Sequence, residues 1–577
     1  MDNLLKIHNS SKYTQYALKN SDNAEKDITI LFKQTYELLN LNNIYESLNL
    51  NITYELYIEY LLNLVTDYIH IEYTENNIAQ YVILSDHFQL NIQHKFFNYV
   101  LHVFILKHNI FYDKLCLCDS INNCILEKFS KENNISNKTF EYIFETNQNI
   151  CNNVKTLYSK HIEQNLLNKC INIINLNINN NEKITSVNHL QFLINLDISN
   201  LCSVDQKGIS QLLTVKILNA CDNKKIKNVN HLQQLEELNM SESCGINQKG
   251  ISQLLTIKIL NAYNNKKITD VNHLQQLENL DISGWCGITQ NGISQLKLIK
   301  ILNANSNKKI TNVNHFNDLE ELEIAQGCGV DQNGISQLLN IKKLNAYGNK
   351  KITSVVHLQK LEDLNAGGTC GIEQNCILQL KNIKKLCAFG NLHITDVNHL
   401  QQLEELNISW MCGVTQNGIS ELKFVKKLIA YNNDKITDVN HLQQLEELNI
   451  YGNECGIGQN GISNLLFVKN LNISYNNKIN SINHLQKLEV LNMHGCNIDQ
   501  NGISNLLNIK ILNLTCNDKI KDVNHLQQLE ELYIYGTQCG VDQNGISQLL
   551  NIKKLHAHNN DKITSIDHLP FIEDYII

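Results

Sequence analysis

The sequence predicts an α/β repeat solenoid preceded by a smaller α-rich domain, and three observations carry that reading. The stretch NHLQQLEEL, or a near copy of it, recurs through the C-terminal two thirds. Its histidines stand at His189, His231, His273, His315, His357, His399, His441, His484, His525 and His568, spaced by 42 six times and then by 43, 41 and 43. The residues ahead of about position 165 carry no such period. A fixed period of this length marks one small structural unit stacked on copies of itself, because a single unit cannot bury its own apolar side chains.

The non-repeating part, residues 1–165, contains DITILFKQTYELLNL, YELYIEYLLNLVTDYI and HKFFNYVLHVFILKH. Their apolar spacing is helical and they are separated by short Asn-rich breaks, which predicts an α-rich head. The opening MDNLLKIHNSSKY lacks the apolar core of a secretion signal. The most apolar run, Phe96 to Tyr112, is interrupted by Asn98, His102, Lys107 and His108 and is shorter than a bilayer span. Eighteen cysteines are spread over 577 residues instead of crowding a short chain. The expectation is therefore a reducing, intracellular setting, cytoplasmic before nuclear, without membrane contact. A formal net charge of -8 and the lack of a basic block argue against a nucleic-acid partner.

Each period divides into two related coils. The first runs Leu254, Ile257, Leu260, Ala262, Asn265, Ile268, Val271 and the second Leu274, Leu277, Leu280, Ile282, Cys286, Ile288, Ile293, Leu296; they span 20 and 22 residues. This pattern resembles the leucine-rich repeat, from about Leu167 to Ile577. The shorter coil, ending ITDVNHL, is similar to internalin-type repeats, and the longer, with CGITQNGISQL, to the cysteine-containing class of F-box-linked proteins. The resemblance implies a right-handed solenoid of about nineteen coils over residues 166–577, with a parallel sheet on its concave face and turns or short helical segments outside. It implies no chemistry. Within the head, Leu61 to Ile105 resembles the later half of a BTB/POZ or Skp-type domain, which implies docking to cullin-type ubiquitin ligase components and a substrate-adaptor role.

Three columns of residues imitate reactive sites. The ten histidines recur two strands apart, roughly 10 Å, too far to share one metal ion; the expected role is a hydrogen bond to the adjacent turn. Cys202, Cys244, Cys286, Cys328, Cys370, Cys412, Cys455, Cys496 and Cys539 have the same separation, beyond the reach of a disulfide, and suit a buried turn. The glycines of QNGIS and QKGIS, such as Gly208, Gly250 and Gly292, lack phosphate-loop spacing and are expected in turns of positive φ, with Cys376 a single replacement. No nucleophile, base and acid recur at a shared spacing, so neither catalytic residue, cofactor nor metal is expected; the minor alternative is enzyme activity in the head.

Alternation along x-L-x-L-x strands places three lanes on the solvent side. The first reads Glu321, Lys343, Asp363, Lys385, Glu405, Lys427, Glu447, charges that alternate in sign and so relieve repulsion between neighbouring strands. The second is mostly Asn, including Asn261, Asn303, Asn345 and Asn365. The third carries Tyr263, Tyr347, Phe389, Tyr431, Tyr451 and Tyr535, with Trp285 and Trp410 close by. These aromatics either stand exposed or fold over neighbouring turns; exposed, they would form an interface centre. The expected function is a non-catalytic scaffold that holds a protein partner on the concave face through these aromatics and charges.

Overall fold

The chain was analysed as a computed structural model, which describes residues 154–572 and 574–576. Most of the α-rich head, with the stretch Leu61 to Ile105, lies outside the described residues. The chain divides into two compact units, Met1–Asn219 and Ala220–Ile577. In the first, the strands Thr156–Tyr158, Asn175–Asn177, Asn195–Asp197 and Ile217–Asn219 pair in parallel, with Leu157, Leu176, Leu196 and Leu218 in register. In the second, strands run from Glu237–Asn239 to Asp574–Ile576. Each is parallel to the next in sequence, with leucine opposite leucine along most of the ladder.

The described residues hold 21 strands. Two of them flank the expected nineteen. Thr156–Tyr158 precedes the leucine-rich lead and needs only Leu157, which is buried, to join the core. Asp574–Ile576 completes the last coil, with all three residues exposed. The strands are three residues long because the motif supplies one buried leucine between two half-exposed residues before the chain turns inward again. Leu274, Leu277, Leu280 and Ile282 are all buried. Each such side chain stabilises the stack by about 1.5–3 kcal/mol.

Among the described residues, helix occurs as single turns, Gln164–Leu167 near the start and the others on the outer segment of the longer coils. Gln248–Ile251 and Gln332–Ile335 form single α-helical turns, and Asn291–Ile293 and Asn417–Ile419 single 3-10 turns. The glycine here does not have the positive φ expected of it. Gly292 has ordinary backbone geometry, but a Cβ on it would stand 2.2 Å from the carbonyl oxygen of Thr269 in the preceding coil. Close approach of two backbones selects glycine. Cys376 occupies the equivalent place with its Sγ 2.9 Å from the Thr353 oxygen. Positive φ occurs instead just past the third lane, at Gly348 (65°) and Gly390 (61°), where the chain leaves the strand side.

Coils are joined by side chains that complete one another's backbone. Asn349 is buried; its Oδ1 accepts from the Lys351 amide, and its Nδ2 donates to the carbonyls of Ile324 (2.8 Å) and Val330 (3.2 Å) in the coil before. Asn265 and Asn391 repeat the arrangement. On the outside, Gln290 accepts at Oε1 from the amides of Thr311 and Asn312 and donates through Nε2 to the Asn312 carbonyl. The histidines behave as expected of a turn ligand. His273 Nε2 lies 2.9 Å from the Ile251 carbonyl and His357 Nε2 2.9 Å from that of Ile335. A carbonyl can only accept, so Nε2 carries the proton.

Two substitutions test this packing. Leu280→Ala should lower stability by about 2–5 kcal/mol through the cavity it leaves. Gly292→Ala should cost about 1–3 kcal/mol, as overpacking against a neighbouring backbone does. Urea unfolding of the full chain followed by circular dichroism measures both, and unchanged midpoints would contradict the register described here.

Candidate partner-binding site

The first lane assembles as its sequence alternation required. Strand register sets Glu321, Lys343, Asp363, Lys385, Glu405, Lys427 and Glu447 side by side. Lys343 lies 3.9 Å from Glu321, Lys385 2.5 Å from Glu405 and Lys427 2.7 Å from Glu447. Lys385 therefore bonds one acidic neighbour, not two. Asp363, with a shorter side chain, makes no ion pair among the described residues; burial pushes its carboxyl above the usual range against the pull of Lys343 and Lys385. A second row, unanticipated from sequence, pairs the lysine just outside the strand with a glutamate of the preceding coil. It includes Lys342–Glu320 (2.9 Å), Lys384–Glu362 (2.8 Å) and Lys426–Glu404 (2.9 Å). Being half exposed, each pair contributes about 0–1 kcal/mol, and their main effect is to cancel charge across the face.

The second lane positions the third. Asn345 Oδ1 accepts from the Tyr347 amide at 3.1 Å, and Asn261 does the same for Tyr263 at 2.9 Å, so each amide fixes the backbone that bears the ring. Cys387 and Ile429 interrupt the Asn lane on the strands that lead to Phe389 and Tyr431. That break makes the middle of the face apolar. In the sequence it shows as two departures from Asn, at Cys387 and Ile429, between Asn365 and Asn449.

The aromatics are not simply exposed, contrary to the first of the two expectations. Tyr347, Phe389, Tyr431, Tyr451 and Tyr535 are half-buried, whereas Tyr263, Trp285 and Trp410 are exposed. Ring centroids are 6.2 Å apart for Tyr347 and Phe389, 6.1 Å for Phe389 and Tyr431, and 4.4 Å for the stacked Tyr431 and Tyr451. Trp410 meets Phe389 edge-on at 5.7 Å. The rings can lean together because the intervening coils carry Gly367 and Ser409 in this lane; a Cβ on Gly367 would come within 3.0 Å of the Tyr347 ring. Five of the eight aromatics thus form one cluster.

Tyr263 and Trp285 make a separate group, and Tyr535 joins another. Tyr535 stacks on His558 (4.6 Å) and approaches His494 (6.4 Å), which in turn contacts Tyr475 (4.8 Å). These histidines and Tyr475 were not anticipated. Their signal was their place in or beside the third lane, where imidazole serves as a flat ring.

With this geometry in view, similarity to known proteins can be stated. No family model and no curated protein matches the chain. Among solved structures it is similar to the functional domain of InlJ from Listeria monocytogenes, at 16% identity over 76% of this chain and 79% of that one, with a TM-score of 0.36. It is also similar to a leucine-rich-repeat protein of Leptospira interrogans, at 20% identity over 69% and 93% with a TM-score of 0.33. Internalin inlF from Listeria monocytogenes gives 18% identity over 60% and 88% with a TM-score of 0.27. The fold is a leucine-rich-repeat solenoid. That assignment stands on the repeat and the parallel register of this chain, and nothing among these likenesses bears on the BTB/POZ or Skp-type resemblance of the head.

The cysteine column is a packing element. Cys244, Cys286, Cys328, Cys370, Cys412 and Cys455 are buried, and burial pushes their thiols up to about 11. Such thiols are poor nucleophiles at neutral pH, because the thiolate is the reactive form. Burial likewise lowers the pKa of His189 and His315. Among the described residues no three of His, Cys, Asp and Glu gather in a metal-holding group, and no helix is long and apolar enough to cross a membrane.

The raised thiols have a consequence for stability. An unfolded thiol ionises near its ordinary 9.0, whereas the folded ones hold their protons to about 11. Stability present below pH 9 is therefore lost as the pH rises from about 9 to about 11, since only the unfolded state releases protons in that window. The urea midpoint should fall across this interval, and thiol titration of the folded chain at pH 8 should label exposed Cys516 well ahead of Cys286.

Proposed function

We propose that this chain is a non-catalytic scaffold that binds a protein partner on the solvent side of its sheet, with the cluster from Tyr347 to Tyr451 at the centre of the contact. The observation that carries this reading is the five-ring cluster itself, held on a rigid ladder of strands. It has the composition of an interface hot spot: aromatic side chains at the centre, Cys387 and Ile429 in the lane beside them, and charged residues at the rim. The rim is largely neutralised by its own ion pairs, which favours a partner that supplies apolar surface and neutral hydrogen bonds over a highly charged one. Trp410, 52% exposed, offers the most area still to be buried. Rings held by stacking lose little further freedom on binding, which reduces the ordering cost that association carries.

The test is affinity purification of the full chain with mass spectrometry to name the partner, followed by calorimetry. Replacing Tyr347, Phe389 and Tyr431 together by Ala should weaken binding at least tenfold, as loss of hot-spot aromatics costs about 2 kcal/mol or more each, while the strand ladder stays folded by circular dichroism. Lys385→Glu should disturb binding more than folding, since its pair with Glu405 is half exposed. Wild-type affinity in the folded triple variant would move the contact off this face. A cullin-type scaffold recovered by the full chain would instead assign the ligase-adaptor role that the Leu61 to Ile105 resemblance implies.

A further inference from the structure

A second surface feature stands apart from the five-ring cluster. At the strands Glu237–Asn239 to Ile301–Asn303, the side where the chain leaves the sheet opens into a cavity of about 660 Å³ lined by Tyr263, Trp285, Lys266, Glu242, Asn303 and Asn305 among others. Trp285 is 71% exposed, the most exposed large apolar residue among those described. A surface tryptophan in solvent is costly, and this one is held in place: its amide donates to Asn264 Oδ1 at 2.9 Å, and the Lys266 ammonium sits 4.6 Å from its ring centroid. Even with Lys266 over the ring, most of the residue stands in solvent. Tyr263 lies over the adjoining Gly284, where a Cβ would meet its ring at 2.9 Å.

The polar lining is fixed as well. Asn303 donates through Nδ2 to Asp281 Oδ2 at 3.0 Å and accepts at Oδ1 from the Asn305 amide at 3.1 Å. Asn305 donates to Glu323 Oε2 at 3.2 Å and accepts at Oδ1 from the Ala325 amide at 2.6 Å. A primary amide has two N–H groups and two lone pairs. Each of these amides is thus oriented by one donated and one accepted bond and keeps a donor and an acceptor for a ligand. Glu242 adds acceptor oxygens, steadied by Asn264 Nδ2 at 3.4 Å.

We propose that this cavity binds a neutral sugar ring of a carbohydrate chain. The face of a pyranose carries C–H groups of slight positive charge that pack on the negative face of an indole. Its hydroxyls both donate and accept, matching paired amides and a carboxylate. The charge of the lining points the same way: Glu242 offsets Lys266, and the carboxylates of Asp281 and Glu323 are engaged by the amides of Asn303 and Asn305. A cationic ligand would be repelled by the ammonium already on Trp285, and an anionic one by Glu242. The volume falls in the range of small-molecule sites, about 300–1,000 Å³, and accommodates one or two sugar units.

The chain has two tryptophans, so Trp410→Phe leaves Trp285 as the only indole reporter. The full-length Trp410→Phe protein is titrated with neutral tetrasaccharides of β-1,4-linked glucose, β-1,4-linked N-acetylglucosamine, α-1,4-linked glucose and α-1,6-linked mannose, and with tetramethylammonium chloride as the cationic comparison. At least one tetrasaccharide should shift Trp285 emission saturably below about 10 mM, the weak end of measurable affinity. Saturation-transfer NMR on the wild-type chain should show the same sugar bound. Trp285→Ala should abolish that signal and Glu242→Ala should weaken binding at least threefold; both side chains are exposed, so the fold is retained. Silence from all four sugars, binding that survives Trp285→Ala, or a response to tetramethylammonium alone would overturn the proposal. Because this site shares no residue with the Tyr347 to Tyr451 cluster, its outcome is independent of the protein-partner reading.

Discussion

The buried asparagine at the turn of each shorter coil, one in every second coil, is the constraint on which the stack depends. A coil of about twenty residues has one three-residue strand, so the buried polar groups of its turns must find partners outside the ladder. Leaving such a group unpaired in the interior costs about 1–3 kcal/mol. The Asn349 side chain solves this for two coils together, accepting from its own turn and donating to two carbonyls of the coil before. Leucine burial gives the stack its driving force, but it is not directional. The amide sets how one coil seats on the next, and so fixes the strand register that brings the lanes of the solvent face into line.

Once register is fixed, the solvent face inherits its chemistry one side chain per coil. Charges in the first lane meet their opposites and amides in the second hold the turn. In the third lane, from Tyr347 to Tyr431, large rings alternate with small residues: Tyr347, Gly367, Phe389, Ser409, Tyr431. The alternation makes contact between rings two strands apart possible. Where a small residue intervenes, rings two coils apart lean together, and where rings follow directly, as at Tyr431 and Tyr451, they stack. Near Trp285 the same alternation, with Ser241 and Ser283 on either side of Tyr263, leaves an open hollow in place of a closed stack.

The fold was legible because repetition multiplies a weak signal: a single L-x-L is uninformative, whereas leucine at the same offset along the whole array admits one architecture. The polar lanes were legible for the same reason, since strand alternation assigns each position a side. Three things were not legible. Whether a ring stands upright or leans depends on its neighbours two strands away, which a lane read one position at a time does not weigh. The outer glycine was read as a left-handed turn because glycine has two uses, conformational freedom and close approach, and only the 2.2 Å approach of Gly292 to Thr269 separates them. The row of Lys342–Glu320 pairs lies just outside the strands, where alternation no longer dictates direction.

The two kinds of coil also give the array a step. The outer contacts join unlike neighbours: the glycine of a longer coil rests on the backbone of the shorter coil before it, and the glutamine beside it closes on the shorter coil that follows. One coil more or less would set like against like and leave both contacts unmade, whereas a whole pair would repeat every one of them. Length in this solenoid is therefore counted in pairs, and the solvent face grows or shrinks by the same stride as the core beneath it.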